Sequence, residues 1–323
     1  MGLAGCGYWG KNLARNLFQM GHLAAVCDPD ARVRRQAKAT YRGVRVMAEF
    51  ADLLKDPGVR VVAVASPAAL HYELARKALM ARKDVFVEKP LALKVSEAEE
   101  LVELARRRKR ILMVGHVLEY HPAVLKLKEL VDGGELGSIH YVYSNRLNLG
   151  KVRKEENILW SFAPHDVSVL LLLMNAMPEW ATTSAQHYLQ HEVADVTLTW
   201  LAFPGKARAH IFVSWLHPYK EQKLVVVGSR KMAVFDDVVK EGKLKIFDKG
   251  IEWKDGRPVT RQTAETTLFF PEIEPLREEL AHLVECVRTR RAPRTDGRNG
   301  LRVLRVLDAC QRSIERGGRP VRL

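Results

Sequence analysis

Three groups of residues in this chain have types and spacings suited to chemistry. The first is Gly5-Cys6-Gly7-Tyr8-Trp9-Gly10, a G-x-G-x-x-G turn between the apolar Gly2 to Ala4 and a helical spacing over Asn12 to Met20. The first glycine permits the tight bend, the second lets backbone approach a pyrophosphate, and the third allows close packing of helix on strand. A pyrophosphate then sits on the helix N-terminus. Asp28 ends the apolar run Leu23 to Cys27, about 20 residues beyond the glycines, where an acid accepts hydrogen bonds from ribose hydroxyls. That acid favours NAD over NADP. Arg32, Arg34 and Arg35 just downstream would suit a 2'-phosphate, or else form a solvated helix face.

The second group is Glu88-Lys89-Pro90. An ammonium beside a reacting hydroxyl stabilises a developing alkoxide, and lysine shifts its pKa readily when partly buried. The plain alternative is a salt-bridging surface lysine. The third group is His165, in Trp160-Ser161-Phe162-Ala163-Pro164-His165-Asp166, ahead of the apolar run Val167 to Met174. Pro164 suits a first helical position and Asp166 the positive end of a helix dipole, so His165 is expected on a helix's first turn. It could take a proton from a hydroxyl while hydride leaves the same carbon, a task suited to an imidazole. The chain has eleven histidines, and a lone one is more often structural.

These residues must be positioned by elements that the periodicity outlines. Val59 to Ala65 is a continuously apolar strand of the kind buried on both faces of a parallel sheet. Ser66-Pro67 and a helical stretch to Ala81 follow, then strands at Asp84 to Val87 and Ile111 to Val114 around one more helix. Strands alternating with helices indicate a doubly wound parallel sheet, whose ligands bind at the carboxyl ends of the strands. Gly5, Asp28, Ser66 and Glu88 all fall at such ends. From about Ile139 the texture turns to strands: Ile139 to Leu147, Val193 to Phe203, Ala207 to Trp215, Leu224 to Val227, Met232 to Phe235 and Leu244 to Phe247. Val196, Leu198 and Trp200 alternate with Thr197 and Thr199, the period-two pattern of a sheet with one buried face. Two amphipathic helices, Glu272 to Arg288 and Asn299 to Ile314, close the chain. The fold class is therefore α/β: an N-terminal doubly wound parallel sheet over 1–117, and an α+β domain with a large, mostly antiparallel open sheet over 118–323.

Composition narrows the function classes. A chain of 323 residues that is 47% hydrophobic can bury a large core. Val167 to Met174 is far shorter than the roughly 18 to 20 apolar residues of a membrane span. No secretory signal precedes the glycine turn, so the expected location is the cytoplasm. Four dispersed cysteines signal neither a disulfide framework nor a zinc site, and no metal is expected. The net charge of +14 raises a nucleic-acid reading, but the basic residues are spread out and no reading motif accompanies them. The densest run, Arg106 to Arg110, reads as a helix end whose dipole favours cations. Excess positive charge also draws anionic ligands such as dinucleotides and nucleotide sugars.

The glycine turn, Ser66-Pro67 with His71, Ala78-Leu79 and above all Glu88-Lys89-Pro90 closely resemble the Gfo/Idh/MocA family of nicotinamide-dependent sugar and polyol oxidoreductases, over nearly the whole chain. The resemblance implies a Rossmann domain binding NAD through Gly5, Gly7, Tyr8, Trp9, Gly10, Asp28, Ser66, Pro67, His71, Glu88, Lys89 and Pro90. It implies Lys89 beside the nicotinamide and a catalytic histidine at the start of a helix, here His165. Gly115-His116 with Tyr120 and Pro122, Gly134 to Gly137, Arg146 to Gly150, Asn157 and Ala163 to Asp166 are similar to the branch that includes UDP-N-acetylglucosamine and UDP-N-acetylglucosaminuronic acid 3-dehydrogenases. In that light His116, Tyr120, Arg146, Asn148, Arg153, Asn157, Trp160 and Ser161 are candidates for holding an anionic sugar nucleotide, with a solvated loop as the plain alternative for the polar stretch. One departure stands out: many members carry Asp four residues before the histidine, where this chain has Ser161. The family also implies a homo-oligomer, a dimer or tetramer, formed through the C-terminal sheet. A free-sugar or inositol dehydrogenase, and a non-catalytic dinucleotide sensor, are the alternatives.

Overall fold

The computed structural model describes residues 1–150, 152–154 and 156–323. The chain divides into two compact units, Met1–Val117 with Glu274–Leu304, and Leu118–Ile273 with Arg305–Leu323. In the first, β1 (Gly2–Ala4), β2 (Ala25–Cys27), β3 (Arg45–Met47), β4 (Val61–Val64), β5 (Asp84–Glu88) and β6 (Leu112–Gly115) pair in the order β3-β2-β1-β4-β5-β6. Every pairing is parallel. The intervening helices are α1 (Gly10–Gln19), α2 (Ala31–Thr40), α3 (Phe50–Lys55), α4 (His71–Met80) and α5 (Val95–Arg108). Strand order reverses between β1 and β4, which opens the crevice where doubly wound sheets bind ligands. All residues of β4, β5 and β6 are buried, as their unbroken apolar runs require. The sheet matches the sequence reading except for β3 and α3, an edge strand of three partly exposed residues and a short helix. Neither is long enough to carry a period.

The second unit begins with a 3₁₀ turn at Val117–Tyr120 and α6 (Pro122–Asp132). It continues with β7 (Ile139–Leu147), α7 (Ile158–Met174), β8 (Trp180–Gln186), β9 (Val196–Ala202), β10 (Arg208–Ser214), β11 (Glu221–Gly228), β12 (Met232–Asp236), β13 (Leu244–Lys254) and β14 (Arg257–Leu268). Near the C-terminus, α8 (Pro275–Thr289) belongs to the first unit, while α9 (Gly297–Glu315) contributes to both before β15 (Val321–Arg322). The strands form one sheet in the order β14-β13-β12-β11-β7-β10-β9-β8-β15, antiparallel throughout save for β10 beside β7. The sequence reading ends β13 at Phe247 and omits β8 and β14: β14 and the far half of β13 are polar and largely exposed, while β8 buries only the small residues Ala181 and Thr183 and so shows no apolar alternation.

Helix α7 packs on β7, β9 and β10 and fixes which face of the sheet is inside. The alternation in β9 is present, but the buried side is the threonine side. Thr197 and Thr199 are 1% and 0% exposed, while Leu198 and Trp200 are 37% and 48% exposed. The Thr199 hydroxyl meets that of Thr183 at 3.0 Å, which satisfies polar atoms that could not otherwise be buried at low cost. On the opposite, open face Tyr143 stacks on His210 with ring centroids 5.2 Å apart, and Trp200 tilts against His210 at 4.9 Å.

The start of α7 differs from the sequence reading. Asn157 is the N-cap, its Oδ1 accepting from Trp160 N at 3.2 Å, so Pro164 lies inside the helix and His165 follows it there. The cause is the apolar stretch reaching back to Ile158, behind an asparagine that satisfies an orphan N–H better than Pro164 could. Pro164 leaves one interior helical bond unmade. Ser161 and His165, four residues apart, share one face of the helix.

Candidate active site

In the first unit the glycine turn is built as its chemistry requires. Gly5 has φ +89°, and a Cβ there would lie 2.8 Å from the Ala65 carbonyl and from Ser66 N. A Cβ on Gly10 would lie 2.1 Å from the Gly5 carbonyl oxygen, whereas one on Gly7 would meet nothing within 4 Å. Gly5 and Gly10 are thus spent on packing, and Gly7 leaves bare backbone for a ligand. Helix α1 starts without a side-chain cap and without an acid in its first turn, so its N-terminal N–H groups and dipole suit a diphosphate.

Asp28 is buried at the end of β2. Its Oδ2 accepts from Cys6 N at 2.8 Å and its Oδ1 from Asp30 N at 2.9 Å. Each carboxylate oxygen keeps a lone pair for a ribose hydroxyl, and the same acid pins the glycine turn. Arg34 bridges the carbonyls of Asp28 and Pro29 at 2.8 and 2.7 Å, while Arg32 and Arg35 are exposed. Asp30 caps α2 by accepting from Arg32 N at 2.7 Å. Two acids within three residues, with Arg34 committed to backbone, suit an unphosphorylated ribose. Asp30 is not among the residues the sequence analysis singles out, although Asp ahead of a helical run is a capping signal.

The Glu88-Lys89-Pro90 segment, with a cis Lys89-Pro90 bond, is locked from two sides. His71 places Nδ1 2.7 Å from the Pro90 carbonyl and Nε2 2.9 Å from the Ser66 carbonyl, joining the turns after β4 and β5. Trp9, in the glycine turn, donates its indole N–H to Glu88 Oε1 at 2.5 Å. Burial pushes the Glu88 carboxyl up to about 7, against the opposing pull of Trp9 and Lys89. Next along the sheet, His116 is 1% exposed, and neither ring nitrogen has a hydrogen-bond partner among the described residues. Burial first, and the Lys89 ammonium second, push His116 down to about 3, so it is neutral at any working pH. The neutral ring offers one donor and one acceptor. Tyr8 is 82% exposed, with the Lys11 ammonium over its ring.

The second unit holds the remaining sequence candidates. Arg146 on β7 donates Nε to Asp166 Oδ2 at 2.9 Å and Nη2 to Oδ1 at 3.2 Å, while the Ser144 hydroxyl donates to Oδ1 at 2.6 Å. Asp166 thus serves as a lock between α7 and β7, beside a cavity of about 10 Å³ that admits at most one water. Asn157 donates Nδ2 to Gln311 Oε1 at 3.0 Å, and Trp160 donates its indole N–H to the same oxygen at 3.1 Å. Gln311 lies on α9, and no local pattern in the sequence pairs it with either. Arg153 forms an ion pair with Glu156 at 3.1 Å. Asn148 has a buried Oδ1 without a partner among the described residues. Tyr120 and Ser161 are buried and His165 is half-buried.

Within one unit, then, the structure gathers the glycine turn, Asp28, Ser66, His71, Glu88, Lys89 and His116. The other gathers Ser161 and His165 on α7, with Arg146, Asn157 and Trp160 engaged by neighbours. Among the described residues, no group of three or more His, Cys, Asp or Glu is arranged to hold a metal ion, and no helix is long and apolar enough to cross a membrane.

Comparison with known proteins bears on both units. An oxidoreductase family's NAD-binding Rossmann fold matches residues 1–116, and its C-terminal alpha/beta domain matches residues 128–323. UDP-N-acetylglucosamine 3-dehydrogenase of Acidithiobacillus ferrooxidans is 24% identical over 94% of this chain and 93% of that enzyme. A crystal structure of that enzyme superposes with a TM-score of 0.87, covering 98% of this chain and 97% of its own at 23% identity. The WlbA dehydrogenase of Bordetella pertussis, solved with NADH and UDP-GlcNAcA, superposes with a TM-score of 0.81 over 100% of this chain and 98% of its own, at 22% identity. Inositol 2-dehydrogenase of Salmonella typhimurium is 28% identical over 54% of this chain and 54% of that enzyme.

Proposed function

Because the chain belongs to the Gfo/Idh/MocA family of oxidoreductases, with an NAD-binding Rossmann domain, we propose that it transfers hydride between NAD and a secondary hydroxyl of a nucleotide sugar. The favoured group is the 3-hydroxyl of a UDP-N-acetylhexosamine or its uronic acid. The observation that carries the substrate class is the 94% span of this chain shared with a nucleotide-sugar 3-dehydrogenase, against 54% for an inositol dehydrogenase.

Bound NAD would supply the hydride acceptor. The residues of this chain do the rest. Gly7 and the N-terminus of α1 hold the diphosphate, and Asp28 holds the adenosine ribose. Lys89 stabilises the developing alkoxide, with neutral His116 beside it orienting the sugar hydroxyls. His165 takes the hydroxyl proton, and Ser161, where many relatives carry Asp, is buried on the same helix face. Residues 1–117 carry the cofactor, and 118–323 carry the substrate and the contacts between subunits. Trp180, Trp200 and Tyr141, each more than 40% exposed on the sheet, mark the face that a second copy covers in a homo-oligomer. The enzyme works in the cytoplasm, with its four buried cysteines reduced.

One observation favours a second reading, a free-sugar or inositol dehydrogenase. Arg146, Asn157 and Trp160, the side chains suited to a diphosphate, are engaged within the second unit. The test is NADH formation with a panel of UDP-sugars and free sugars, comparing wild type with Lys89→Met and His165→Ala. Turnover of a UDP-sugar, lost in both variants, is expected. Turnover of free sugars alone transfers the assignment to the second reading, and NAD binding without turnover points to a sensor.

A further inference from the structure

At the amino end of the parallel sheet, a strand's length from Glu88, lies a recess of about 380 Å³ lined by Arg82, Arg107, Arg108, Lys109 and Arg110. All five lining residues are cationic. Arg107 shares the carboxylate of Glu103 with Arg106, and Arg108 reaches the Met80 sulfur. Arg82, Lys109 and Arg110 have no acidic partner among the described residues, and Arg110 Nε is buried with no hydrogen-bond partner there. Nearby, Asp84 is consumed by Arg290 at 2.7 Å, so it is not available to the recess.

Helix dipoles account for part of this charge. Helices α4, α5 and α8 all end here, and a left-handed cation follows each: Arg82 (φ +57°), Lys109 (φ +53°) and Arg290 (φ +60°). Glycine is the residue that takes this conformation without strain. Three half-charges of helix C-termini do not balance the cations that crowd the recess. Like charges held together at strained backbone positions, with a buried guanidinium N–H unmatched, point from structure to ligand.

We propose that this recess binds a phosphate-rich anion, at a site separate from the glycine turn. Arginine forks fit phosphate oxygens in bidentate fashion, and a surface recess of one sign concentrates counter-ions. The anion is either a soluble oligophosphate or the headgroups of an acidic lipid surface.

The probe is inorganic tripolyphosphate, titrated calorimetrically at low salt in the presence of saturating NAD, so that the glycine turn is already occupied. The test variant is Arg82→Gly with Lys109→Gly. Both positions have positive φ, so glycine removes two cations without straining the fold, and NAD affinity should be unchanged. The expected result is saturable binding that weakens roughly tenfold or more in the variant, the effect of deleting charged donors, and that falls with added salt. Co-sedimentation with phosphatidylglycerol vesicles, retained by wild type and lost by the variant, would assign the phosphates to lipid. Tripolyphosphate binding without vesicle retention would assign them to a soluble anion. No saturable binding of either probe, or binding that survives in the variant, overturns the site.

Discussion

Replacing Glu88 by Gln should make the enzyme more stable at alkaline pH and leave it nearly unchanged at pH 5. Glu88 is 8% exposed and lies at the end of β5, its Oε1 accepting from Trp9, and burial raises its carboxyl from 4.5 to about 7. The folded protein therefore holds a proton that the unfolded chain releases. Stability conferred by that proton is complete below about pH 4.5 and drains away as pH rises through 7. At 1.36 kcal/mol per pH unit, the loss between pH 5 and 8.5 is about 2 to 3 kcal/mol. Glutamine keeps the acceptor for Trp9 and has no proton to lose, so its advantage over wild type should grow by that amount across the range. For a domain of this size it corresponds to roughly 5–10 °C in Tm. Thermal unfolding of both proteins at pH 5, 6, 7 and 8.5, followed by tryptophan fluorescence, measures it directly. A stability difference independent of pH would refute the reasoning, since it would mean that Glu88 ionises in the folded state as it does in water. Trp9→Phe supplies a second check. Losing the indole donor should push the carboxyl higher still and move the transition to more alkaline pH.

The packing role and the ligand role in the glycine turn should separate cleanly. Gly10→Ala drives a methyl to 2.1 Å from the Gly5 carbonyl and should cost about 1–3 kcal/mol or more in urea unfolding. Gly7→Ala meets nothing within 4 Å, so its Tm should hold while NAD affinity, measured by calorimetry, drops about tenfold. Asp166→Asn leaves the Arg146 guanidinium, 11% exposed, without its counter-charge, and should cost about 3–5 kcal/mol by urea denaturation. The double variant Arg146→Met with Asp166→Leu should recover most of that loss. If Asp166→Asn alone is neutral, the pair is not the lock between α7 and β7.

What the sequence made legible follows the range of the forces involved. The parallel sheet could be read because β4, β5 and β6 are buried on both faces and must be apolar throughout, a demand that each strand satisfies alone. The glycine turn and Asp28 could be read because a diphosphate and a ribose impose residue types at fixed spacing. Elements whose polarity is set by distant partners could not. Thr197 and Thr199 look like the wet side of β9 until Thr183 and α7 are in place, and only then does the apolar side prove to be the uncovered one. In the same way Arg146, Asn157 and Trp160 are indistinguishable in sequence from ligand-binding residues, because a guanidinium, an amide and an indole N–H serve a phosphate and a neighbouring side chain equally well. Their partners, Asp166 and Gln311, lie 20 and over 150 positions away. His116 is the reverse case. The family resemblance names it as a candidate, and its lack of any polar partner among the described residues, next to Lys89, supplies the physical reason to expect a ligand there, which residue types alone cannot express. Side chains already satisfied by the fold hold the site's framework, and those left wanting a partner in a buried place are where a substrate is recognised.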